Sequence, residues 1–335
     1  MNRLALDAIR GCGVFSLARV LSAKMARILM YHNFRGPGEA DENALNVVDA
    51  RRQFEYLRRY FHVVPLHHIV DQLTSSQGFD SNTVAITIDD GRRNCYEFLF
   101  PLLREFDFPA TFFVVSSFIS GQAWIWTDKV LWLSEQQSRA GGRMCRTYEE
   151  LAPGNLDSLF RTLSRMRPEV RNEQVETMVA KAGISLPAPP PAKYAPCSWA
   201  ELREMSDSGL VEIGSHTVTH PTLSSITDDE CWRELTESRR QIEEGVGRKV
   251  RSFCFPNGMP RDYRPSQVRQ LADAGYACGV MAHFGLVGRL TSPYSLPRMG
   301  MARMSKPLDF SKYLDGVAYY QHRFENLIHP NRDGV

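Results

Sequence analysis

The sequence has no long apolar run, no paired cysteine motif and no excess of charge of either sign. No apolar stretch reaches the about 18 residues that a transmembrane helix needs, so no membrane-spanning helix is expected. The seven cysteines are scattered, without a Cys-x-x-Cys pair, which excludes a zinc knuckle or thioredoxin motif and indicates buried thiols in a reducing compartment. With 40 basic and 38 acidic residues the net charge is +2, which argues against a nucleic-acid partner.

What the sequence does contain is enough apolar material for a large core. A chain of 335 residues that is 43% hydrophobic can form one α/β barrel or two ordinary domains. Short apolar runs alternate with amphipathic helical patterns, which predicts parallel strands joined by helical crossovers. Seven such strands favour the α/β barrel. The predicted strands are Ile28–Tyr31, His62–Pro65, Val84–Ile88, Ala110–Val115, Leu210–Gly214, Ser252–Phe255 and Ala277–Met281.

One region, about 121–196, interrupts this alternation. It contains helical patterns without a convincing strand and ends in the proline-rich stretch Leu186–Ala192, which cannot form a helix interior or a central strand. We predict a helical insertion between two barrel strands. Three tryptophans near its start are interpreted as core residues in preference to sugar platforms; they are Trp124, Trp126 and Trp132.

The chain therefore divides into a basic amphipathic helix over 1–27, a barrel over 28–300, and a C-terminal helix and tail over 301–335. The first segment has five basic residues against one acid and apolar residues at helical spacing. It is either a helix packed on the barrel or a helix that lies on a membrane surface. We read no signal peptide in it. Together with the unpaired cysteines, this predicts a cytoplasmic protein that can rest on the inner membrane face through this helix.

Two adjacent carboxylates, Asp89 and Asp90, follow directly on an apolar strand and precede Gly91. The turn at a strand end can aim both side chains into one cavity. Because two close carboxylates repel each other unless one is neutralised, a metal ion on one would leave the other free as a base. The alternative is an Asp-Asp-Gly turn or a helix cap.

Two histidines, His216 and His220, follow another apolar strand at a spacing of four. This is a spacing that zinc proteins use for ligands on one helical turn. Two histidines and one carboxylate with an open position describe a catalytic metal site. Zn²⁺ is the default ion, and Co²⁺, Ni²⁺ or Fe²⁺ also suits these donors.

A third strand ends at Pro256, before Asn257 and Gly258. Proline has no amide hydrogen, so the next amide, that of Asn257, is left as a donor that could receive a developing oxyanion. The alternative interpretation is an ordinary Pro-Asn-Gly turn.

The segments Thr87–Gly91, Ser215–His220 and Phe253–Gly258 resemble the first three motifs of the polysaccharide deacetylases, which share the NodB homology domain and form carbohydrate esterase family 4. The resemblance implies an α/β fold that is a distorted (β/α)7 barrel, and metal-dependent N-deacetylation of acetylated amino sugars. It further implies that Asp89 is the general base and that the Asn257 amide contributes to the oxyanion hole. The implied metal ligands are Asp90, His216 and His220.

The sequence departs from the family pattern in two places. Cys254 stands where many members have the arginine that orients the catalytic aspartate, and Asn257 stands where they have tyrosine; Arg298 is the candidate substitute for the arginine. The usual C-terminal Leu-x-x-His is missing, and its pattern occurs instead at Leu29–His32. That order is similar to the circularly permuted biofilm poly-N-acetylglucosamine deacetylases. It predicts that His32 is the general acid, with His283 as the rival.

The predicted function is a metal-dependent hydrolase that removes an N-acetyl or similar small acyl group from an amino sugar. The predicted partner is an acetylated saccharide, such as an exopolysaccharide, or a lipid-linked glycan precursor. One alternative is a C–N hydrolase of a small non-sugar amide on the same fold. The other is an inactive glycan-binding module, against which the intact Asp89, Asp90, His216 and His220 argue. The sequence predicts no particular oligomeric state.

Overall fold

The computed structural model describes residues 13–75, 78–121, 124–139, 155–301, 304 and 306–328. Within them the strands β1 to β10 are Arg27–Tyr31, Phe34–Arg35, Leu45–Asn46, His62–Val63, Thr83–Ile88, Ala110–Val114, Val211–Ser215, Ser252–Cys254, Cys278–Val280 and Met299–Gly300. The helices α1 to α13 are Val14–Leu21, Val47–Tyr60, Leu66–Thr74, Phe100–Phe106, Ser116–Ile119, Trp126–Arg139, Leu156–Ser164, Pro168–Lys181, Trp199–Asp207, Asp228–Val246, Pro265–Asp273, Pro307–Leu314 and Val317–Ile328.

The main sheet is parallel and curls into a barrel. Its strand order is β10-β1-β5-β6-β7-β8-β9, and β4 pairs with the start of β5. A segment that we name the closing segment, Leu296–Met301, connects the two edges. The Leu296 N–H donates to the Gly279 carbonyl in β9, and the Met301 N–H donates to the Met30 carbonyl in β1. This confirms the predicted α/β barrel, and it gathers the carboxyl ends of the strands on one rim.

The central strands β5 and β6 are buried on both faces because helices surround the barrel. Every residue of β5 is buried, as expected for a parallel strand with both faces covered. Alternate strand residues join two apolar clusters. Ile86 and Phe112 pack with the surrounding helices in the larger cluster, whereas Ala85, Phe113 and Cys254 belong to a smaller one, which therefore faces the barrel interior.

The predicted helical insertion contains α6, α7 and α8. These helices form an apolar cluster of their own around Trp126, Val130, Leu159 and Met178. In the described part of 121–196 no residue belongs to a strand of the sheet. The burial of Trp126 agrees with its interpretation as a core residue, while Trp124 and Trp132 are half-buried. The division of the chain into three segments remains a prediction.

The two ends of the chain pack together through α1, α12 and α13. Residues 1–12 and 329–335 of the predicted end segments lie outside the described residues. Arg27, which we grouped with the basic N-terminal helix, is instead the first residue of β1 and fully buried. Its guanidinium donates to the Leu314 carbonyl at 2.7 Å and to Ser22 Oγ at 2.5 Å. The Arg27 guanidinium therefore links the residue after α1 to the end of α12 inside the protein. No described helix has the length and apolarity needed to cross a bilayer.

Candidate active site

The two carboxylates at the end of β5 enter one cavity because the backbone turns between them. The Asp89 N–H still continues the sheet by donating to the Tyr31 carbonyl at 3.0 Å. Asp90 then adopts a left-handed conformation with φ 79°, and Gly91 follows with φ 93°. A Cβ on Gly91 would lie 2.8 Å from Ile119 Cδ1, so this turn requires glycine. The strain at Asp90 is of the kind that is retained at functional sites.

Asp89 is held by Arg298. Both are buried, and the guanidinium donates to the two carboxylate oxygens at 2.7 Å each. Burial alone would raise the pKa of Asp89, but the charge and hydrogen bonds of Arg298 outweigh it and lower the pKa. Asp89 is therefore ionised at neutral pH, which a general base requires.

Arg298 is itself fixed by three further contacts. It donates to the Met281 carbonyl at 2.8 Å, to Thr87 Oγ1 at 3.0 Å and to Cys254 Sγ at 3.1 Å. Burial raises the pKa of the Cys254 thiol well above its ordinary value, so the thiol is neutral. A small neutral side chain at position 254 leaves space for the guanidinium that comes from the closing segment.

Asp90, His216 and His220 form a second cluster beside Asp89. One ligand atom from each lies within 4.8 Å of the others, and all three side chains are buried. The two Nε2 atoms are 3.2 Å apart and lie 3.7 and 3.8 Å from Asp90 Oδ1. This convergence of two imidazoles and one carboxylate is the donor set of a catalytic metal site.

The protonation states of the histidines suit metal binding. His216 Nδ1 lies 2.8 Å from the Cys254 carbonyl and so donates to it, which leaves Nε2 with a free lone pair. His220 Nδ1 is buried and has no partner among the described residues. Burial and the neighbouring His216 lower the pKa of His220 to about 3, and burial also lowers the pKa of His216. Both rings are neutral at pH 7, the form that binds metals, so the residues fit a divalent ion.

The loop that carries the histidines is shaped by its own hydrogen bonds. Thr217 and His220 have positive φ values of 70° and 56°. Glu234 of α10 accepts from the Val218 N–H at 2.6 Å and from the Thr219 hydroxyl at 2.6 Å. We did not predict Glu234 from the sequence. It stabilises the strained loop that aims both imidazoles at Asp90.

A buried ion pair, also missed by the sequence analysis, connects the insertion to the cluster of Asp90, His216 and His220. Arg92 donates to both oxygens of Asp128 at 2.6 and 2.5 Å and reaches Asp90 Oδ2 at 3.3 Å. Asp128 lies in the first turn of α6 and is fully buried. Burial would raise the pKa of Asp90, but Arg92 and the nearby histidines lower it well below its usual value. The Asp90 carboxylate is therefore ionised.

His32 lies at the mouth of the same cavity. Its Nε2 is 3.7 Å from Asp89 Oδ2, and its side chain is 37% exposed. The rival, His283, has a half-buried ring whose Nδ1 has no partner among the described residues. Its backbone carbonyl accepts from the Arg298 N–H at 3.1 Å, but in the described structure no contact joins its ring to either carboxylate. The geometry thus favours His32 over His283.

Asn257 follows β8 with a left-handed φ of 60°. Its side chain donates to Thr222 Oγ1 at 2.7 Å, which fixes the turn. In the described structure its backbone N–H has no assigned acceptor, and the role of this N–H toward a ligand oxygen stays a prediction.

Comparison with known proteins decides the family. The family model described as polysaccharide deacetylase matches residues 76–279, which is more than half of the chain. The protein belongs to the polysaccharide deacetylase family. The match includes Asp89, Asp90, His216, His220 and Asn257. His32 and Arg298 lie outside it, so their assignment depends on the geometry described above.

Individual relatives are distant. The chain is 22% identical over 117 residues to the putative polysaccharide deacetylase YxkH of Bacillus subtilis, a match that spans 35% of this chain and 40% of that protein. The deacetylase PplD of Streptococcus pyogenes, solved with acetate, superposes with a TM-score of 0.58 at 16% identity, over 87% of this chain and 98% of PplD. IcaB of Ammonifex degensii superposes with a TM-score of 0.58 at 18% identity, over 87% of this chain and 97% of IcaB. At these identities the superpositions show a shared fold.

Proposed function

We propose that this polysaccharide deacetylase family member is an active hydrolase that removes N-acetyl groups from an amino sugar of a glycan. The observation that supports this most strongly is the pairing of an ionised, arginine-held Asp89 with the adjacent cluster of Asp90, His216 and His220. An inactive glycan-binding module has no need for two carboxylates kept ionised in one buried cavity, since burying charge is costly.

A divalent metal would be held by Asp90, His216 and His220. A metal ion bound there supplies Lewis-acid chemistry, because it polarises an amide carbonyl and makes a water molecule more acidic. We propose Zn²⁺ as the resident ion, with Co²⁺, Ni²⁺ or Fe²⁺ as ions that the same donors accept.

Asp89 is the proposed general base. Its carboxylate is ionised and faces the cavity beside the metal ligands, so it can accept the proton of the attacking water. Arg298 acts through Asp89. By holding both carboxylate oxygens it keeps the base in one orientation and ionised, and it is therefore a positioning residue.

Two further groups complete the proposed mechanism. The backbone N–H of Asn257 donates to the oxyanion that develops on the amide carbonyl. His32, near Asp89 and partly exposed, donates a proton to the leaving amine, which lets the C–N bond break. The permuted position of this histidine in the sequence remains a prediction, and its proximity to Asp89 supports it.

Acetate release from purified, metal-loaded protein tests the function. The substrates are chito-oligosaccharides of increasing length, N-acetylglucosamine alone, and a small non-sugar amide such as N-acetylethanolamine. We expect acetate from the saccharides and little from the non-sugar amide. Release from the non-sugar amide alone would instead support the alternative of a small-amide hydrolase, and a complete absence of release would reject the proposed activity.

We also propose that helices α1 and α13, which pack together, contact a membrane surface where a lipid-linked substrate would be presented. Apolar side chains are exposed on both helices. In α1 they are Leu17 (59% exposed), Val20 (69%) and Leu21 (63%). In the adjoining α13 they are Phe324 (63%) and Leu327 (79%). An apolar surface of this kind can enter a lipid interface. Sedimentation with anionic vesicles tests this, and no binding at low salt would reject it. A cytoplasmic location remains a prediction.

A further inference from the structure

A cleft of about 290 Å³ lies between the helical insertion and the loop after β8. Trp126, Phe160, Arg161 and Arg165 line it on the insertion side, and Asn257 and Arg261 line it on the loop side. Because Asn257 also belongs to the candidate active site, a saccharide with its amide at that site would extend into this cleft. The cleft is therefore placed to bind the neighbouring part of the substrate.

The cleft carries positive charge that the protein does not neutralise by ion pairs. Arg161, Arg165 and Arg261 are exposed, and none of them forms an ion pair with a carboxylate of the described residues. By contrast, Arg167 of the same insertion pairs with Glu230 at 2.8 Å. Arg165 and Arg261 attract the Asp262 carboxylate electrostatically without forming an ion pair with it. Guanidinium groups on both walls of the cleft therefore remain available to a ligand with carboxylate or phosphate oxygens.

One carboxylate, that of Asp262, also lines the cleft. It is buried, and one of its oxygens accepts from the Met259 N–H at 3.0 Å. Its role is to hold the loop that carries Arg261. With three arginines against one buried aspartate, the lining keeps a net positive charge.

A further arginine, Arg171, lies behind the cleft. Glu234 and Glu169 are near enough to raise its pKa, but neither they nor any other carboxylate of the described residues forms an ion pair with it. Arg171 is 2% exposed and stacks on the Trp126 ring with its guanidinium carbon 4.9 Å from the ring centre. Its Nε and Nη2 donate to Asn172 Oδ1, while Nη1 finds no partner in the described part of the chain. Burial lowers its pKa to about 10, so it stays charged at neutral pH. A buried charge without an ion-pair partner is costly, and a bound anion would offset that cost.

Trp126 provides an independent indication of a ligand. The residue is 4% exposed, and its indole Nε1 is a buried donor with no acceptor in the described structure. Unsatisfied buried donors are uncommon and call for an explanation. Because this atom is closed to solvent, a ligand oxygen in the cleft that Trp126 lines would satisfy this donor once a covering side chain moves aside.

We propose that the cleft is a subsite for an anionic group, a carboxylate or a phosphate, that the saccharide substrate carries next to its acetylated amino sugar. The proposal rests on the proposed deacetylation and specifies its substrate class. A carboxylate would come from a uronic acid within the glycan, and a phosphate from a phosphorylated or lipid-pyrophosphate end. Both offer the acceptor oxygens that guanidinium and indole N–H groups recognise.

The experiment compares three saccharides of equal length: a neutral chito-oligosaccharide, an oligosaccharide of N-acetylglucosamine alternating with glucuronate, and a chito-oligosaccharide with a reducing-end phosphate. Acetate release gives kcat and KM for each, and calorimetry gives the Kd of each for the same metal-loaded protein. The test variant combines Arg161→Gln with Arg165→Gln. The matched control is Arg167→Gln, which removes an exposed arginine of the same insertion outside the cleft.

In the native protein, one anionic saccharide should bind more tightly than the neutral one, and the anion that does so identifies the source. The double variant should raise Kd and KM for that saccharide by about tenfold, the size of a lost hydrogen bond to a charged group, with little change for the neutral one. Arg167→Gln should change neither.

Equal affinity for neutral and anionic saccharides, or an equal loss for both in the double variant, would overturn the subsite. If no saccharide releases acetate but the anionic one still binds through these arginines, the deacetylase proposal fails and the anion site stands.

Discussion

Arg298 donates to both oxygens of Asp89 at 2.7 Å, although these residues belong to opposite ends of the sequence. Replacing Asp89 by Asn removes the base and leaves the arginine without its counter-ion. We expect acetate release to fall by about 10²–10⁴-fold while the metal content stays near that of the native protein. Thermal unfolding should show a loss of about 3–5 kcal/mol, since a buried charge loses its partner. Near-native turnover would remove Asp89 from the mechanism.

Arg298 contacts Cys254 at 3.1 Å, which allows a test of whether an arginine at position 254 can replace Arg298. Arg298→Ala should abolish most turnover, because Asp89 then loses both its orientation and its charge partner. Adding Cys254→Arg to this variant puts a guanidinium at the position that the family resemblance implies. We expect the kcat of the double variant to be at least about tenfold higher than that of Arg298→Ala, which corresponds to an activation free energy lowered by about 1.4 kcal/mol. The control is Cys254→Ala alone, which should retain activity. If the double variant recovers no activity, only the closing segment can present the guanidinium to Asp89.

Metal retention tests the cluster of Asp90, His216 and His220. His216→Ala and His220→Ala each remove one of three converging donors, so metal measured by elemental analysis after dialysis should fall sharply in both. His283→Ala, which removes a histidine outside this cluster, is the control and should keep the native metal content. Full occupancy in both cluster variants would reject this ligand set.

His32 and His283 compete for the role of general acid. His32→Ala should lower kcat by about 10²–10⁴-fold, the usual contribution of such a group, without changing metal content or thermal stability. His283→Ala should have a small effect, because its ring contacts neither carboxylate in the described structure. The reverse result would show that the Leu29–His32 motif was misread and would weaken the permuted assignment.

The ion pair of Arg92 and Asp128 should matter for both stability and metal binding. Asp128→Asn leaves a buried guanidinium whose remaining carboxylate contact is Asp90 at 3.3 Å, so that arginine would compete with the metal ion for Asp90. We expect a loss of about 3–5 kcal/mol in the free energy of unfolding and easier removal of the metal by a chelator. The exposed Glu173→Gln in α8 is the control. Unchanged chelator sensitivity in a folded Asp128→Asn protein would limit this pair to a structural role.

The sequence predicted the barrel and its motifs because their signals are local. The strand Val84–Ile88 is apolar except for Thr87 and ends at two carboxylates, so both its burial and its role could be inferred. The helix Asp228–Val246 also begins at a local signal, since Thr227 and Glu230 form the capping box that starts it. Signals of this kind need only a few neighbouring residues.

Interactions between distant parts of the chain were harder to predict. Asp128 lies 36 positions after Arg92, inside an insertion without a recognisable motif, and nothing in its neighbourhood indicates a buried ion pair. Arg27 looked like part of a basic surface because its burial depends on α12 folding over it. The closing segment was not predicted as a strand, since β10 has only two residues, although Arg298 was identified as a candidate from the family pattern.

The closing segment joins the last edge of the barrel to the first and also supplies Arg298. During synthesis β1, with His32 after it, emerges early, but Asp89 cannot acquire its guanidinium partner until the ribosome has passed position 298. A nascent or truncated chain that ends before this segment would contain every metal ligand and still lack an oriented base. Under the proposed mechanism such a chain would not hydrolyse an amide, because the base acquires its orientation only when the barrel closes.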